Sequence, residues 1–260
     1  SGPMAKNPQD LAILLKVMAG KDERQPNGVP FFDIEVSLKD RSLKNKRIIS
    51  FMGWDLPLEE GIRDLTEQSL KKFEDLGASV EVVDLPMDME KVWQAWITLR
   101  SWSVANSLAN EFDDPKKRRQ MKKPLIWEIK RGLSLKNDEI VKASKTRSEW
   151  FKKMASVLDQ CDAAVLPSTQ VQPFNIEKEY PEVISNFPMD TYHRWMQVVV
   201  PVSLIGLPAI NLPAGFCKNK LPFGIQLIGK QFSDNNLLSI AESWHSATSF
   251  PEKYPPIFAN

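Results

Sequence analysis

Hydrophobic and polar positions recur along this chain with two different periods, and the switches between them mark out its elements. Asn7-Pro8-Gln9-Asp10 has the form of a helix start: an amide side chain to cap, a proline where no N–H is needed, and an acid in the first turn. Leu11, Leu14, Leu15 and Met18 follow at helical spacing as one apolar stripe, with Gly20 as the predicted stop. Residues 21–46, broken by Pro26, Gly28 and Pro30, read as a polar loop ending in a basic run from Lys39 to Lys46. Arg47 to Met52 has strand character. A helix is predicted from about Leu58 to Leu76, with Ile62, Leu65, Phe73 and Leu76 on one face and Gly77 as its stop. Ser79 to Leu85 is a second strand, closed by Pro86. Strand, helix and strand with short joints predict a βαβ unit on a parallel pair.

From Met89 to about Leu158 the rhythm is helical. Val92, Trp93, Trp96, Leu99 and Trp102 make a broad apolar face, a basic stretch interrupts it, and Leu125-Ile126-Trp127 with Ile129 resumes it. Another helix runs from Asn137 through Ile140, Trp150, Phe151 and Leu158. Ala163 to Leu166 is a short buried strand, and residues 167–190, punctuated by Pro167, Pro173, Pro181 and Pro188, form an extended surface segment. Trp195 to Leu204 is apolar and ends at the turn Gly206-Leu207-Pro208. Ala209 to Leu212 and Gly224 to Ile228 are further strands, and Leu237 to Trp244 is a closing amphipathic helix.

Composition narrows the class. The 260 residues are 42% hydrophobic and 26% charged, ordinary for a globular α/β chain with a substantial core. A formal net charge of +1 gives no overall field toward nucleic acid or an anionic membrane, so neither is expected as a partner. No apolar run is long enough to span a bilayer, and no signal peptide opens the chain. Two cysteines, Cys161 and Cys217, make no disulfide framework and fit a reducing, cytoplasmic setting. The 11 glycines are scattered singly, with no cluster to cradle an oxyanion or phosphate. Ser1-Gly2-Pro3-Met4 enters a well-formed helix almost at once, which is expected of a cut chain.

Candidate chemistry is thin. His193 and His245 lack any metal-ligand spacing, so neither metal nor cofactor is expected, and His193 reads as a hydrogen-bonded histidine at the head of an apolar element. Cys161 reads as a small core residue. Ser69-Leu70-Lys71-Lys72 fits S-x-x-K and Ser233-Asp234-Asn235 fits S-D-N. The third mark of that hydrolase group, K-T-G, fails because Lys145-Thr146 is followed by Arg147, and Ser69 falls in mid-helix. The run Lys116-Lys117-Arg118-Arg119 with Lys122 and Lys123 reads as a solvated helix or loop, with a nucleic-acid patch or targeting signal as the alternative. Trp93, Trp96 and Trp102 read as core, with an apolar ligand pocket as the alternative.

Four segments carry more. Gly2-Pro3-Met4-Ala5-Lys6 with Asp10-Leu11-Ala12 and the helix to Gly20; Asp162 to Thr169; Met189 to Met196; and Gly206-Leu207-Pro208-Ala209-Ile210-Asn211-Leu212-Pro213-Ala214-Gly215-Phe216, continued by Leu221 to Gly229, resemble amidase-signature enzymes in family order. The resemblance implies an α/β fold, a mixed β-sheet covered by helices, with residues 1–260 as the C-terminal portion of a single domain and a helical insertion at about 88–160. It implies hydrolysis of a carboxamide to a carboxylic acid and ammonia or an amine. The family's serine nucleophile, bridging serine in a cis peptide, and lysine base belong upstream of Gly2, so no catalytic residue is expected here. The acyl-side pocket is expected from Ser168, Thr169, Tyr192, Trp195, Pro201 and Gly206, each with plain packing as its alternative. Val199 replaces a threonine and Ser203 an asparagine of that pattern. The implied partners are a small-molecule amide and an N-terminal amidase segment or companion chain, with a homodimer as a further option. The rival reading is a non-catalytic ligand-binding or scaffold remnant. An unpaired sheet edge should accompany either.

Overall fold

Two parallel strands and the helix between them found the sheet. In the computed structural model, which describes residues 2–24, 33–39 and 42–250, β1 (Arg47–Ser50) pairs in parallel with β2 (Ser79–Val82), and α2 (Ile62–Asp75) joins them. β3 (Ala163–Pro167) adds in parallel to the other side of β1. β7 (Pro222–Ile228) then runs antiparallel beside β3, and β6 (Ala209–Phe216) antiparallel beside β7, giving the order β2-β1-β3-β7-β6. The sheet is therefore mixed.

Alternation along these strands sorts the core into two layers, because successive side chains leave a strand on opposite faces. Ile48, Ala163, Val165, Ile210, Leu212, Ile225 and Leu227 share one cluster with Ala12 of α1 (Pro8–Met18), Phe73 of α2 and Trp244 of α8 (Asp234–Thr248). Ile49, Ala164, Leu166 and Ile228 face the other way. There they meet Val92 of α3 (Met89–Asp113), Trp150 and Met154 of α6 (Asn137–Leu158) and Val202 of α7 (Val200–Ile205). Helices thus cover both faces. The three fully buried tryptophans each find an acceptor for the indole N–H: Trp54 on the Val198 carbonyl at 2.9 Å, Trp150 on Pro201 at 2.8 Å and Trp244 on Pro213 at 2.9 Å.

The predicted start of α1 is met, since the Asn7 side chain accepts from the Asp10 N–H at 2.7 Å and Pro8 opens the helix. Its end differs. The helix stops at Met18, with Ala19 rather than Gly20 leaving it in extended backbone, and only Leu11 and Leu15 of the predicted stripe turn inward while Leu14 and Met18 stay exposed. Pro26, Gly28 and Pro30 of the predicted loop lie outside the described residues. The strand predicted to Met52 ends at Ser50, because Met52, Trp54 and Asp55 take positive φ in a tight turn. α2 begins at Ile62 instead of Leu58, and its C-terminal turn is closed by Gly77 at φ +97°, a conformation that favours glycine.

The helical stretch divides into α3, a four-residue α4 (Pro115–Arg118), α5 (Lys123–Ser134) and α6. Trp93 is buried and Trp96 half-buried as expected, whereas Trp102 and Trp127 are 44% and 41% exposed. α3 and α5 approach so closely at Gly132 that a Cβ there would lie 2.0 Å from the Ser101 carbonyl oxygen and 2.6 Å from Ala105 Cβ. Only glycine permits that crossing. The extended segment 167–190 includes a small hairpin of β4 (Val183–Ile184) and β5 (Phe187–Pro188).

Candidate functional site

The carboxyl ends of β1 and β3 open into two loops, and these meet the segment that leads into α7. In open sheets this end is where ligands are received. Gln170, fully buried, ties the three together. Its side-chain oxygen accepts from the Val198 N–H at 3.0 Å, its amide donates to the Pro57 carbonyl at 3.1 Å, and its own carbonyl accepts from the Glu59 N–H at 2.8 Å. The Val198 carbonyl in turn receives Trp54 Nε1 at 2.9 Å and Gln226 Nε2 at 3.3 Å. Gln226 sits on the buried face of β7 and also reaches the Pro167 carbonyl at 3.4 Å. Val198, held at both its N–H and its C=O by buried side chains, cannot shift without breaking several bonds in a place closed to water.

Around this knot the six expected pocket residues take different positions. Ser168 follows β3, donates its N–H to the Gly224 carbonyl at 3.0 Å, and lines a groove of about 800 Å³ that runs along β6 between α8 and residues 2–5. Gly224 is confined here: a Cβ on it would lie 2.8 Å from Ser168 Oγ and 3.1 Å from the Leu212 carbonyl oxygen. Thr169 closes a local turn, its hydroxyl donating to the Val171 carbonyl at 3.0 Å and accepting from the Val171 N–H at 3.2 Å. Val171 packs in one apolar cluster with Ile184, Met189, Tyr180 and Trp195. Trp195 stands edge-on to Phe174 at 5.4 Å, and Tyr192 stands edge-on to both Tyr180 and His193. Pro201 is buried at the start of α7, where its carbonyl serves Trp150. Gly206 ends α7 at φ +64° and turns the chain toward β6. Ser168 alone of the six lines the β6 groove; Thr169, Tyr192 and Trp195 lie around Val171, Phe174 and Tyr180, and Pro201 and Gly206 lie at the two ends of α7.

His193, read as a hydrogen-bonded histidine at the head of an apolar element, does precede the 3-10 turn of residues 194–199, but its side chain forms no hydrogen bond among the described residues and faces Glu128 of α5 instead. Its Nε2 lies 3.7 Å from Glu128 Oε2, and Arg100 Nε forms an ion pair with Glu128 Oε1 at 2.7 Å. Glu128 and His193 are both buried. Burial, aided by the Arg100 charge, lowers the His193 pKa to about 4, so the ring is neutral at pH 7. Burial likewise raises the Glu128 pKa against the opposing pull of Arg100. His193 Nδ1, Thr191 Oγ1, Trp195 Nε1, Ser101 Oγ and Arg131 Nη1 are buried without a hydrogen-bond partner. Unpaired buried polar atoms are rare, and here they concentrate on segment 191–195 and the helices α3 and α5.

The motifs set aside in the sequence have structural duties. Ser69 Oγ donates to the Leu65 carbonyl inside α2. Ser233-Asp234-Asn235 starts α8, and Asn235 bridges to residues 33 and 35. Burial raises the Cys161 pKa to about 11, which keeps this half-buried thiol protonated and a poor nucleophile. Among the described residues no group of three His, Cys, Asp or Glu side chains could hold a metal ion. Gln170, Gln226 and Glu128 were not singled out in the sequence. Gln226 alone leaves a signal, as a polar residue inside the strand Ile225-Gln226-Leu227 that is otherwise apolar.

Fold and site together define an α/β chain whose loops at the carboxyl ends of β1 and β3 are tied to the segment before α7 by buried glutamines. The chain belongs to the Amidase family, whose model matches residues 1–238. It is 27% identical over 280 residues to the A-subunit of glutamyl-tRNA(Gln) amidotransferase from Legionella pneumophila (strain Corby), covering 96% of this chain and 55% of that protein. The corresponding protein from Nitrosococcus oceani is 28% identical, covering 98% and 56%. Among solved structures, a bacterial aryl acylamidase of the amidase-signature family superposes with a TM-score of 0.85 at 22% identity, covering 96% of this chain and 53% of that one, a likeness of fold. The Thermotoga maritima amidotransferase A-subunit superposes with a TM-score of 0.69 at 28% identity, covering 94% and 52%. The chain spans about half the length of the curated relatives it matches.

Proposed function

We propose that this chain is the sheet-and-pocket portion of an amide hydrolase, in one domain with residues of about 88–160 inserted as helices. The nucleophile and oxyanion donors come from a further amidase segment, on the same polypeptide or on a companion chain. The observation that carries the reading is the open side of β6. Among the described residues no strand pairs with its outer edge, and the 800 Å³ groove beside it is lined by Ser168, Asn211, Gly224 and residues 2–5, all within segments that resemble the family. An unpaired edge of eight residues beside an apolar groove is a template for another strand. Two unpaired cysteines suit a reducing, cytoplasmic setting.

In this reading the substrate's acyl group lies against Ser168, Thr169, Tyr192 and Trp195, held by the Gln170–Val198–Gln226 knot. A carboxamide attacked by an external nucleophile would develop its oxyanion toward donors on the docking segment, while this chain orients the acyl group and excludes water. The test is release of ammonia or aniline from a panel of aryl and alkyl carboxamides. Turnover should appear when the chain is combined with an amino-terminal amidase segment and be absent without it. Turnover by the chain alone, abolished by Ser69→Ala or His193→Gln, would overturn the proposal. Binding of an amide with no turnover in either form would favour a non-catalytic remnant.

A further inference from the structure

The chain's net charge of +1 conceals a strong asymmetry. Residues 116–131 carry eight cations against Glu128 alone, a net +7, so the remaining residues sum to −6. The three acids just upstream soften this only in part: counting Glu111, Asp113 and Asp114 leaves +4, and two of them are engaged. Glu111 pairs with Lys117 at 3.8 Å, and the Asp114 side chain accepts from the N–H groups that open α4. Lys116, Lys122, Lys123 and Lys130 form no ion pair among the described residues. Such a concentration of one sign on a near-neutral chain marks a surface that meets the opposite sign.

The same surface carries apolar groups that packing does not explain. Trp127, 41% exposed, stands on the outer side of α5 one turn from Lys123 in one direction and from Lys130 in the other. Leu133, farther along the helix, is 58% exposed. Beside them Phe112 and Ile126 floor a groove of about 460 Å³ walled by Arg118, Arg119 and Lys130, with the Arg118 guanidinium 5.4 Å over the Phe112 ring. The inner side of α5, with Ile129 and Gly132, is spent against α3. A helix that buries one side in its own protein and shows a tryptophan between lysines on the other has the makeup of an interfacial element.

We propose that the α4–α5 face docks on an anionic lipid surface, with Trp127 entering the headgroup layer and the lysines of 116–130 meeting lipid phosphates and carboxylates. Lipid fits better than nucleic acid because the apolar groups are a single indole, an isobutyl side chain and a narrow groove. A single-strand binder would instead offer successive rings in a basic channel. The cytoplasmic face of a membrane is anionic, so this fits the setting proposed above, yet it does not depend on the amidase reading.

The experiment is co-sedimentation of the 260-residue chain with vesicles of phosphatidylcholine alone or mixed with phosphatidylserine. Binding is expected only to the mixed vesicles and should fade as salt rises from about 0.1 M to about 1 M, where screening shortens to about 3 Å. Neutralising three lysines together (Lys122→Gln, Lys123→Gln, Lys130→Gln) should weaken the partition about a hundredfold, at about fivefold each. Trp127→Ser should weaken it about tenfold, whereas Trp127→Phe should keep binding and lose a blue shift in indole fluorescence. These residues are exposed, so unchanged thermal melting identifies the variants as folded. No sedimentation at low salt, or sedimentation indifferent to the lysine variant, would overturn the proposal. So would tighter binding to polyuridylate RNA that ignores Trp127→Ser, which would assign the face to nucleic acid.

Discussion

The His193 imidazole is where this protein's stability meets pH. The native state holds it neutral, with a pKa near 4 against an ordinary value of about 6.5, so the unfolded chain binds the proton more tightly. Native stability from this group is complete above about pH 6.5 and is lost as pH falls from there to about 4. Between pH 7 and pH 5 the loss should be about 2 kcal/mol. Glu128 acts with the opposite sign, but its raised pKa matters only above the ordinary carboxylate value, so it offsets the lower end of that window. Urea melts at pH 7 and pH 5 should show the loss in the parent chain and a clearly smaller one in His193→Gln; equal losses would remove His193 as the cause. A second comparison separates the two glutamines. Gln170→Ala removes both bonds that join the loops and should cost about 2–3 kcal/mol. Gln226→Leu leaves Trp54 Nε1 on the Val198 carbonyl and should cost less, so the reverse order in urea melts would contradict the knot as described. None of these roles was legible in the sequence beyond Gln226 in its apolar strand, because Gln170–Val198 and Glu128–His193 join positions far apart in the chain.

At the scale of elements, hydrophobic period located most helices and strands, while the stop of α1, the end of β1 and the start of α2 fell away from the predicted residues. Asn7-Pro8 and Gly77 set their boundaries by local geometry, which neighbours in sequence determine. What stayed hidden was which side of a helix would be covered. Trp102 and Trp127 continue apolar runs in sequence yet face outward, because α3 and α5 spend their Gly132-Ala105-Ser101 sides on each other. That crossing yields a sharp expectation. Gly132→Val must push its new side chain into the Ser101 carbonyl and Ala105, costing at least about 1–3 kcal/mol in thermal or urea unfolding. Gly20→Ala, with nothing within 4 Å, should stay within about 0.5 kcal/mol. Similar effects at the two sites would mean that the helices do not cross at Gly132.

For the whole molecule, the βαβ start and the family order of the four segments foretold the mixed sheet and its helical cover, and the structure adds the order of strands. β6 lies at the rim with Ala209, Asn211 and Pro213 exposed and Ile210 and Leu212 buried, so its inner side is satisfied and its edge is open. Such an edge is a template for a further strand, and the chain spans about half the length of the curated relatives it matches. Sequence alone could not place this open edge, since pairing partners are set by topology rather than by the strand's own residues. The most direct measurement is amide hydrogen exchange along β6 before and after adding an amino-terminal amidase segment. Exchange over residues 209–216 should slow at least about tenfold on addition, while β1 and β3 stay unchanged. Turnover that arises with β6 exchanging as freely as before would contradict the account, because the catalytic parts would then have docked elsewhere.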